Sequence, residues 1–134
     1  MKVYLASWFS SKDERNKQAE ELRAAGIAVT SRWLEETAPP NSKLGDFDES
    51  FLRATAQMDK EDIQACTVFV LFTVDPNNGP CHRRGGRHWE TGYAEGLGKP
   101  ITIVGPRENI FHSLPFVAQF DTWEEAKKYL ISIA

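Results

Sequence analysis

The sequence has little cysteine, little net charge and no long apolar run, and each shortage excludes a class of protein. Only Cys66 and Cys81 occur among the 134 residues, which gives neither a disulfide framework nor a CxxC pair and suits a reducing cytoplasm. The opening MKVYLAS is too short an apolar stretch for a signal peptide or a membrane span. A net charge of −3 produces no overall field that would recruit nucleic acid or an anionic membrane. We therefore expect a cytoplasmic protein with neither nucleic acid nor a membrane as its partner.

The glycine-rich loops that hold phosphates in many α/β proteins are also missing. The sequence contains no Walker A pattern and no GxGxxG after its first predicted strand. The loop after that strand, SWFSS, lacks the acidic cluster of a phospho-receiver domain. With 41% hydrophobic and 26% charged residues, the composition is that of an ordinary globular protein, and the length favours one domain over residues 1–134.

Apolar runs alternate with amphipathic segments along the chain. Strands are predicted at the apolar runs 3–6, 26–33, 67–73 and 101–105, with a short edge strand at 116–120. Helices are predicted at the amphipathic segments 13–25, 48–65, 88–97 and 122–133. The run at 67–73 is continuously apolar, which is typical of a strand buried on both faces. This alternation predicts a parallel sheet with helices on both of its faces.

The loops that follow the strands are where a ligand should bind. In open parallel sheets, ligands lie beyond the carboxyl ends of the strands, at the point where the strand order reverses. The loops after the first, third and fourth predicted strands are SWFSS, TVDPNN and GPREN. All three are polar or aromatic, and we expect them to converge at one end of the sheet.

The helix predicted at 48–65 carries an aspartate within its apolar stripe. The stripe is spaced by fours and threes and consists of Leu52, Ala56, Asp59, Ile63 and Cys66. Desolvation in a core would raise the pKa of Asp59, which suits a general acid. The alternative is that Asp59 reaches water at the helix edge or pairs with Arg32 or Arg53. Asp62, further round the helix, is expected on the solvated surface.

Glu90 opens the helix predicted at 88–97, behind a glycine-rich loop. In a first turn, unpaired N–H groups and the helix dipole favour negative charge, which predicts a low pKa and an ionised Glu90 at neutral pH. Gly92 and Gly96 leave one helix face without side chains, so a ligand or another backbone can approach closely. A routine helix-start glutamate and tight packing on the sheet explain the same residues. A charged Glu90 with a protonated Asp59 would suit the two roles of glycoside chemistry.

Four stretches of the sequence resemble the nucleoside 2-deoxyribosyltransferases and the related deoxynucleoside 5′-monophosphate N-glycosidases. They are VYLASWFSS at 3–11, DKEDIQACTVFVLF at 59–72, ETGYAEGLGKPITIV at 90–104 and PREN at 106–109. Their order covers nearly the whole chain, and the glutamate-led helix is the most specific of the four. The resemblance implies a flavodoxin-like, Rossmann-like three-layer α/β sandwich with a mainly parallel sheet of four to five strands. It also implies cleavage or transfer at the N-glycosidic bond of a 2′-deoxynucleoside or its 5′-monophosphate, without a metal or redox cofactor.

The resemblance assigns roles to individual residues. Glu90 corresponds to the nucleophile that attacks the anomeric carbon and forms a covalent deoxyribosyl intermediate. Asp59 corresponds to the carboxylate that helps protonate the departing base, and Tyr4 to the hydroxyl that orients the glutamate. Asn109 corresponds to a residue lent across a subunit interface, which implies a homodimer or a larger homo-oligomer. The candidate substrate-binding residues are Ser7, Trp8, Phe9, Asp75, Gly86, Arg87 and Asn109.

The loop before Glu90, at 75–88, is longer and more basic than expected for that family. Its cationic side chains are His82, Arg83, Arg84, Arg87 and His88. As a flexible arm they would clamp a 5′-phosphate, because arginine forks match phosphate oxygens; the alternative is an exposed loop without a specific role. Asp75 is the candidate for the family's second aspartate. Two further functions stay open: a non-catalytic nucleotide-binding or sensing module, and a glycohydrolase that acts on a larger ribosyl nucleotide such as NAD.

Overall fold

A computed structural model describes residues 1–39, 41–78 and 84–134, and these residues form one parallel sheet flanked by helices. The strands are β1 (Lys2–Ala6), β2 (Ala28–Val29), β3 (Val68–Phe72), β4 (Ile101–Val104) and β5 (Val117–Phe120). The α-helices are α1 (Lys12–Ala24), α2 (Glu49–Ala65), α3 (Gly86–Gly96) and α4 (Trp123–Ile133). All the strand pairs are parallel and their order is β2-β1-β3-β4-β5, which is the flavodoxin-like order. The predicted fold class is therefore confirmed.

The helices form one layer on each face of the sheet. On one face, α1 and α4 are joined because the Glu21 carboxylate accepts hydrogen bonds from Trp123 Nε1 (3.0 Å) and Lys127 Nζ (2.7 Å). On the other face, Gln64 of α2 donates to the hydroxyl of Tyr93 in α3 at 2.7 Å. In the described part of the chain, no helix is both long and apolar enough to cross a bilayer.

The central strands are buried on both faces, as their continuous apolar runs predict. Every residue of β3 and β4 is buried, and so are the last four residues of β1. β5 is paired only with β4 and is the predicted edge strand. Burial of these apolar side chains supplies the main favourable free energy of folding.

β2 is much shorter than the strand predicted at 26–33. After Val29 the chain no longer pairs with β1, because side chains, instead of backbone groups, form hydrogen bonds with the backbone of Leu5. The Ser31 hydroxyl accepts a hydrogen bond from the Leu5 amide at 2.6 Å, and the Trp33 indole donates to the Leu5 carbonyl at 2.8 Å. Residues Arg32–Glu35 then form a 3₁₀ turn.

The loops at the carboxyl ends of β1, β3 and β4 converge, as predicted. The Val74 amide, after β3, donates to Glu108 Oε1, after β4, at 2.7 Å. The guanidinium of Arg87, at the start of α3, lies 5.7 Å from the ring of Trp8, after β1. β1 and β3 are the neighbours at which the strand order reverses, so the loops meet at the switch point of the sheet.

Candidate active site

The hydroxyl of Tyr4 donates a hydrogen bond to Oε2 of Glu90 and so joins β1 to α3. Tyr4 is fully buried, and its ring stacks on that of Phe69 in β3 with centroids 5.5 Å apart. Burial, with added repulsion from Glu90 and Asp59, raises the pKa of Tyr4 well above its usual value. The hydroxyl therefore stays protonated at neutral pH and remains a fixed donor aimed at Glu90.

Glu90 lies in the second turn of α3, where burial controls its protonation. α3 begins at Gly86, after Gly85 in the left-handed region (φ 73°), so Glu90 is too far along to meet the free N–H groups. Burial raises the pKa of Glu90 from 4.5 to about 8; the Tyr4 hydrogen bond lowers it, and the charges of Asp59 and Asp62 raise it. The predicted low pKa is wrong, because the helix starts earlier than His88 and desolvation outweighs the helix dipole.

Asp59 on α2 is the second carboxyl of the site. Its Oδ1 atom is buried and has no hydrogen-bond partner among the described residues. Burial raises the pKa of Asp59 from 3.8 to about 7, the charge of Asp62 adds to this, and Arg32 opposes it. The expectation of a raised pKa is confirmed. The suggested ion pairs with Arg32 and Arg53 are wrong, because both arginines pair with other carboxylates.

The apolar stripe of α2 faces two different environments. Ile63 and Cys66 are buried in the core, as predicted. Leu52, Ala56 and Asp59 instead line a cavity. The prediction that the whole stripe faces the core is therefore wrong for its first half, which faces the cavity.

Asp62 is a buried ion-pair partner. Its side chain accepts hydrogen bonds from the backbone amide of Arg32 at 2.9 Å and from Arg32 Nε at 2.7 Å, and the residue is only 5% exposed. The expectation that Asp62 lies on the solvated surface is wrong. The pair fixes α2 to the segment that follows β2 and keeps a negative charge near Asp59.

Both Asp59 and Glu90 line one cavity of about 830 Å³ at the carboxyl end of the sheet. The loop after β1 contributes Ser7, Trp8 and Phe9 to its wall, and their contact with a substrate stays a prediction. Two more tryptophans line it: Trp33, packed against Phe9, and Trp89, stacked on Tyr93 at 5.3 Å. Flat apolar walls around two carboxyls fit a ligand that has a ring system and a polar reacting centre.

The cavity also carries positive charge. Lys43, Lys60 and Arg84 line it, and none of the three forms an ion pair within residues 1–39, 41–78 and 84–134. Because the pKa values of Asp59 and Glu90 are about 7 and about 8, these carboxyls offset only part of that charge at neutral pH. The cavity therefore favours an anionic ligand.

The predicted cationic arm at 82–88 divides into separate parts. His82 and Arg83 lie outside the described residues. Arg84 donates to the carbonyl of Ser42 on the opposite rim of the cavity.

The first turn of α3 contains the other residues of the predicted arm, Gly86, Arg87 and His88, and Gly86 also lines the cavity. Arg87 is 5% exposed and ion-paired with Glu108 at 2.9 Å, and His88 contacts the same carboxylate at 2.9 Å. The flexible-arm interpretation is therefore wrong for Arg87 and His88.

Asp75 and Asn109 are not among the described residues that line the cavity. Asp75 is exposed and accepts a hydrogen bond from the Asn77 amide at 2.8 Å, which lowers its pKa. Asn109 is exposed, and its Oδ1 accepts from the Phe111 amide at 3.0 Å, which caps a 3₁₀ turn. The remaining candidates, Tyr4, Ser7, Trp8, Phe9, Asp59, Gly86, Arg87 and Glu90, lie at or directly behind the cavity wall.

Gly92 and Gly96 face open space. A Cβ atom added at either position would meet no atom within 4 Å outside its own helix backbone and chain neighbours. Tight packing of these glycines on the sheet is therefore wrong for the single chain, and the approach of a ligand to them stays a prediction.

Sequence reasoning missed Glu108, which joins three elements, and the cavity residues Lys43, Lys60, Trp33 and Trp89. A signal for Glu108 did exist. It lies in a loop predicted to converge with the basic loop, and opposite charges on converging loops favour an ion pair.

Several solved structures, including the following two, are similar to this chain. A 2-deoxyribosyltransferase from the psychrotolerant bacterium Bacillus psychrosaccharolyticus superposes with a TM-score of 0.73 at 24% identity, over 96% of this chain and 92% of that one. The CMP N-glycosidase BcmB of Clostridium botulinum superposes with a TM-score of 0.58 at 21% identity, over 97% of this chain and 98% of that one. No protein-family model matches the sequence, and no curated protein matches it significantly. The chain therefore shares its fold, over nearly its full length, with a 2-deoxyribosyltransferase and a CMP N-glycosidase.

Proposed function

We propose that the protein cleaves or transfers the N-glycosidic bond of a 2′-deoxynucleoside or its 5′-monophosphate, with Glu90 as the nucleophile. The observation that carries the proposal is the pairing of Tyr4 with Glu90 at a cavity that Asp59 also lines. The two enzymes of similar fold support it, since one is a 2-deoxyribosyltransferase and the other a CMP N-glycosidase. The sequence resemblance assigns these three side chains the same roles.

In the proposed reaction, the ionised Glu90 attacks the anomeric carbon while the bond from that carbon to the base nitrogen breaks. Asp59 gives its proton to the departing base, which would otherwise be a poor leaving group. The product is a deoxyribosyl ester on Glu90 and a free base. Water then releases the sugar, or a second base accepts it. The transition state resembles an oxocarbenium ion, which the negative Glu90 stabilises before it traps the sugar.

The two carboxyls have the proton count that this reaction needs. Between pKa values of about 7 and about 8, the two carboxyls together hold one proton. Moving that proton to Asp59 gives the reactive arrangement. Because the two pKa values lie close together, placing the proton on Asp59 costs little free energy. That is a small part of the barrier to the reaction.

Tyr4 selects the orientation of Glu90. Its hydroxyl occupies Oε2, which leaves Oε1 as the oxygen free to face the sugar. Because the Tyr4 ring is held in the core against Phe69, the donor has little freedom to follow Glu90 if the helix moves. Holding a reacting group in a fixed orientation raises the rate of the chemical step far more than it strengthens substrate binding.

The cavity's charge favours the 5′-monophosphate over the free nucleoside. Lys43, Lys60 and Arg84 at the wall form no ion pair with a described residue and are suited to phosphate oxygens. Arg84 would exchange the Ser42 carbonyl for them. The tryptophans of the wall would stack on the base. In this proposal the phosphate is held by Arg84 and the lysines, while Arg87 is already paired with Glu108.

We also propose that the active form is a homo-oligomer in which Asn109 reaches a neighbouring cavity. Asn109 is exposed, and so are the apolar side chains of Ile110 and Phe111 beside it, which are 80% and 66% exposed. An apolar patch of this kind on a small protein is suited to an interface. Light scattering should give a mass above one chain, and Asn109→Ala should lower activity without changing that mass. A monomer that is fully active would contradict this part.

The test is a panel of 2′-deoxynucleosides, their 5′-monophosphates and NAD, incubated with and without a second free base and analysed by chromatography. The proposal expects base release or exchange from the deoxy compounds, lost in Glu90→Gln and kept in Glu95→Gln. Glu95 is an exposed glutamate of the same helix and so controls for the loss of a charge. Binding without turnover would favour a sensing module, and turnover of NAD alone would favour a glycohydrolase of larger nucleotides.

A further inference from the structure

The carboxylate of Glu108 is the centre of a buried cluster behind the cavity wall. Its Oε1 accepts a hydrogen bond from the Val74 amide (2.7 Å) and forms an ion pair with Arg87 Nη1 (2.9 Å). Its Oε2 accepts from Arg87 Nη2 at 3.0 Å and contacts His88 Nε2 at 2.9 Å. The Glu108 and Arg87 side chains are only 10% and 5% exposed. Burial alone would raise the pKa of Glu108, but the hydrogen bonds from Arg87 and Val74 hold it below its usual value.

The cluster ties together the ends of two strands and the start of a helix. Val74 follows β3, Glu108 follows β4, and Arg87 and His88 lie in the first turn of α3. The loop of Glu108 is itself fixed, because its backbone amide donates to Nδ1 of the buried His112 at 3.0 Å. The anchor for α3 is therefore a side chain held by the sheet.

The helix needs such an anchor. Basic residues in a first turn oppose the positive end of the helix dipole, and Gly85 and Gly86 give this start little intrinsic stability. The Glu108 carboxylate supplies the negative charge that this end of the helix favours and neutralises Arg87. Glu90 lies less than one turn beyond Arg87, so a change in the tilt or rotation of the first turn moves the Glu90 carboxyl relative to Tyr4.

We propose that Glu108 is a positioning residue: its two-oxygen pairing with Arg87 sets the placement of α3 and thereby holds Glu90 against Tyr4 and the sugar. This rests on the proposed function of Glu90. Glu108 is not among the described residues that line the cavity, and none of its described contacts is with Glu90. It reaches the wall through Arg87, which lines the cavity and belongs to α3, so it acts through the helix.

The test compares Glu108→Gln with Glu21→Gln. Glu21 also accepts hydrogen bonds from two different side chains, but it joins α1 to α4 on the opposite face of the sheet. We expect Glu108→Gln to lower kcat roughly 10- to 100-fold with little change in KM, because misplacement of a reacting group acts on the chemical step. Glu21→Gln should keep both constants. Adding Arg87→Gln to Glu108→Gln should cause little further loss, since both act through one contact.

A folded Glu108→Gln protein with wild-type kcat, or with its whole effect on KM, overturns the proposal. If that variant does not fold, Arg87→Lys takes its place, since it keeps the charge and loses the fork. A wild-type protein without turnover on any substrate would refute the proposed function instead. In that case NMR titration of the Glu90 carboxyl still decides the question. In Glu108→Gln the pKa of Glu90 should fall, because a displaced α3 lets water reach its carboxyl. An unchanged pKa of Glu90 overturns the positioning role.

Discussion

Replacing Glu90 with glutamine should make the protein more stable, and the gain should grow with pH. Burial raises the pKa of Glu90 from 4.5 to about 8. Between these values the folded protein holds a proton that the unfolded chain has released, so the stability of the wild-type protein falls as pH rises through this window. Glutamine keeps an acceptor for the Tyr4 hydroxyl and cannot ionise. The variant therefore escapes the loss.

The size of the effect follows from the displacement of the pKa. Since one pH unit corresponds to about 1.4 kcal/mol, moving the value from 4.5 to about 8 corresponds to roughly 5 kcal/mol in the free energy of unfolding. This is an upper limit, because the folded protein relaxes and admits water around an ionised carboxylate. We expect a gain of about 2 to 5 kcal/mol above about pH 9 and almost none near about pH 5.

The assay is urea unfolding, followed by tryptophan fluorescence at three pH values across this window. Glu95→Gln on the exposed face of α3 is the matched control, and its difference from the wild type should not vary with pH in this way. The difference in free energy of unfolding between Glu90→Gln and the wild type should vary with pH. A difference that stays constant, or one that favours the wild type in alkali, would refute the claim that burial of Glu90 disfavours its charged form.

Four further predictions test other parts of the structure. The pH profile of kcat/KM should be bell-shaped with limbs near pH 7 and pH 8, because the reactive pair holds one proton; a rate that is flat from about pH 6 to about pH 9 would contradict this. Gly92→Ala should raise the free energy of unfolding by about 1 kcal/mol, since Gly92 is helical with open space around it. Gly105→Ala should lower it in the same urea assay, since its φ is 117° and the new Cβ would lie 2.5 Å from Thr73 Oγ1; the reverse order of the two variants would show that the packing is misassigned. Arg84→Gln should raise the KM of a 5′-monophosphate roughly 10-fold and spare the free nucleoside, whereas Arg53→Gln should change neither; equal losses on both substrates would remove the phosphate contact.

The central strands were predictable because the apolar composition of each segment is enough to predict its burial. β3 and β4 are uninterrupted apolar runs, and such runs have one favourable place in an α/β protein, the middle of a parallel sheet. The start of α4 was also predictable from residues close together in the sequence. Thr122 and Glu125 have capping-box spacing, and each side chain caps the other's backbone amide in the structure.

β2 could not be predicted at its true length because its end depends on contacts distant in sequence. The hydroxyl of Ser31 and the indole of Trp33 compete for the backbone of Leu5, more than twenty residues away. Composition favours a strand through this segment, and only the tertiary contacts end it.

The site shows the same division between local pattern and tertiary contact. The resemblance selected Tyr4, Asp59 and Glu90, and in the structure Tyr4 bonds to Glu90 at a cavity that Asp59 also lines, while their roles stay a prediction. The predicted protonation state of Glu90 was wrong, because that state depends on where α3 starts and on how deeply the side chain is buried. Neither is a local property of the sequence. Likewise, an aspartate on a helix has the same local pattern whether it is paired or not. Only the position of Arg32 distinguishes Asp62 from Asp59.

The most direct test of the proposed chemistry is intact-protein mass spectrometry after rapid acid quenching of a reaction with a substrate that the protein turns over. A covalent deoxyribosyl intermediate predicts a mass increase equal to one sugar unit, with its phosphate if the substrate carries one, and peptide mapping should place it on Glu90. The increase should be absent in Glu90→Gln. Steady turnover without any adduct, or an adduct that persists in Glu90→Gln, would contradict the assignment of Glu90 as the nucleophile.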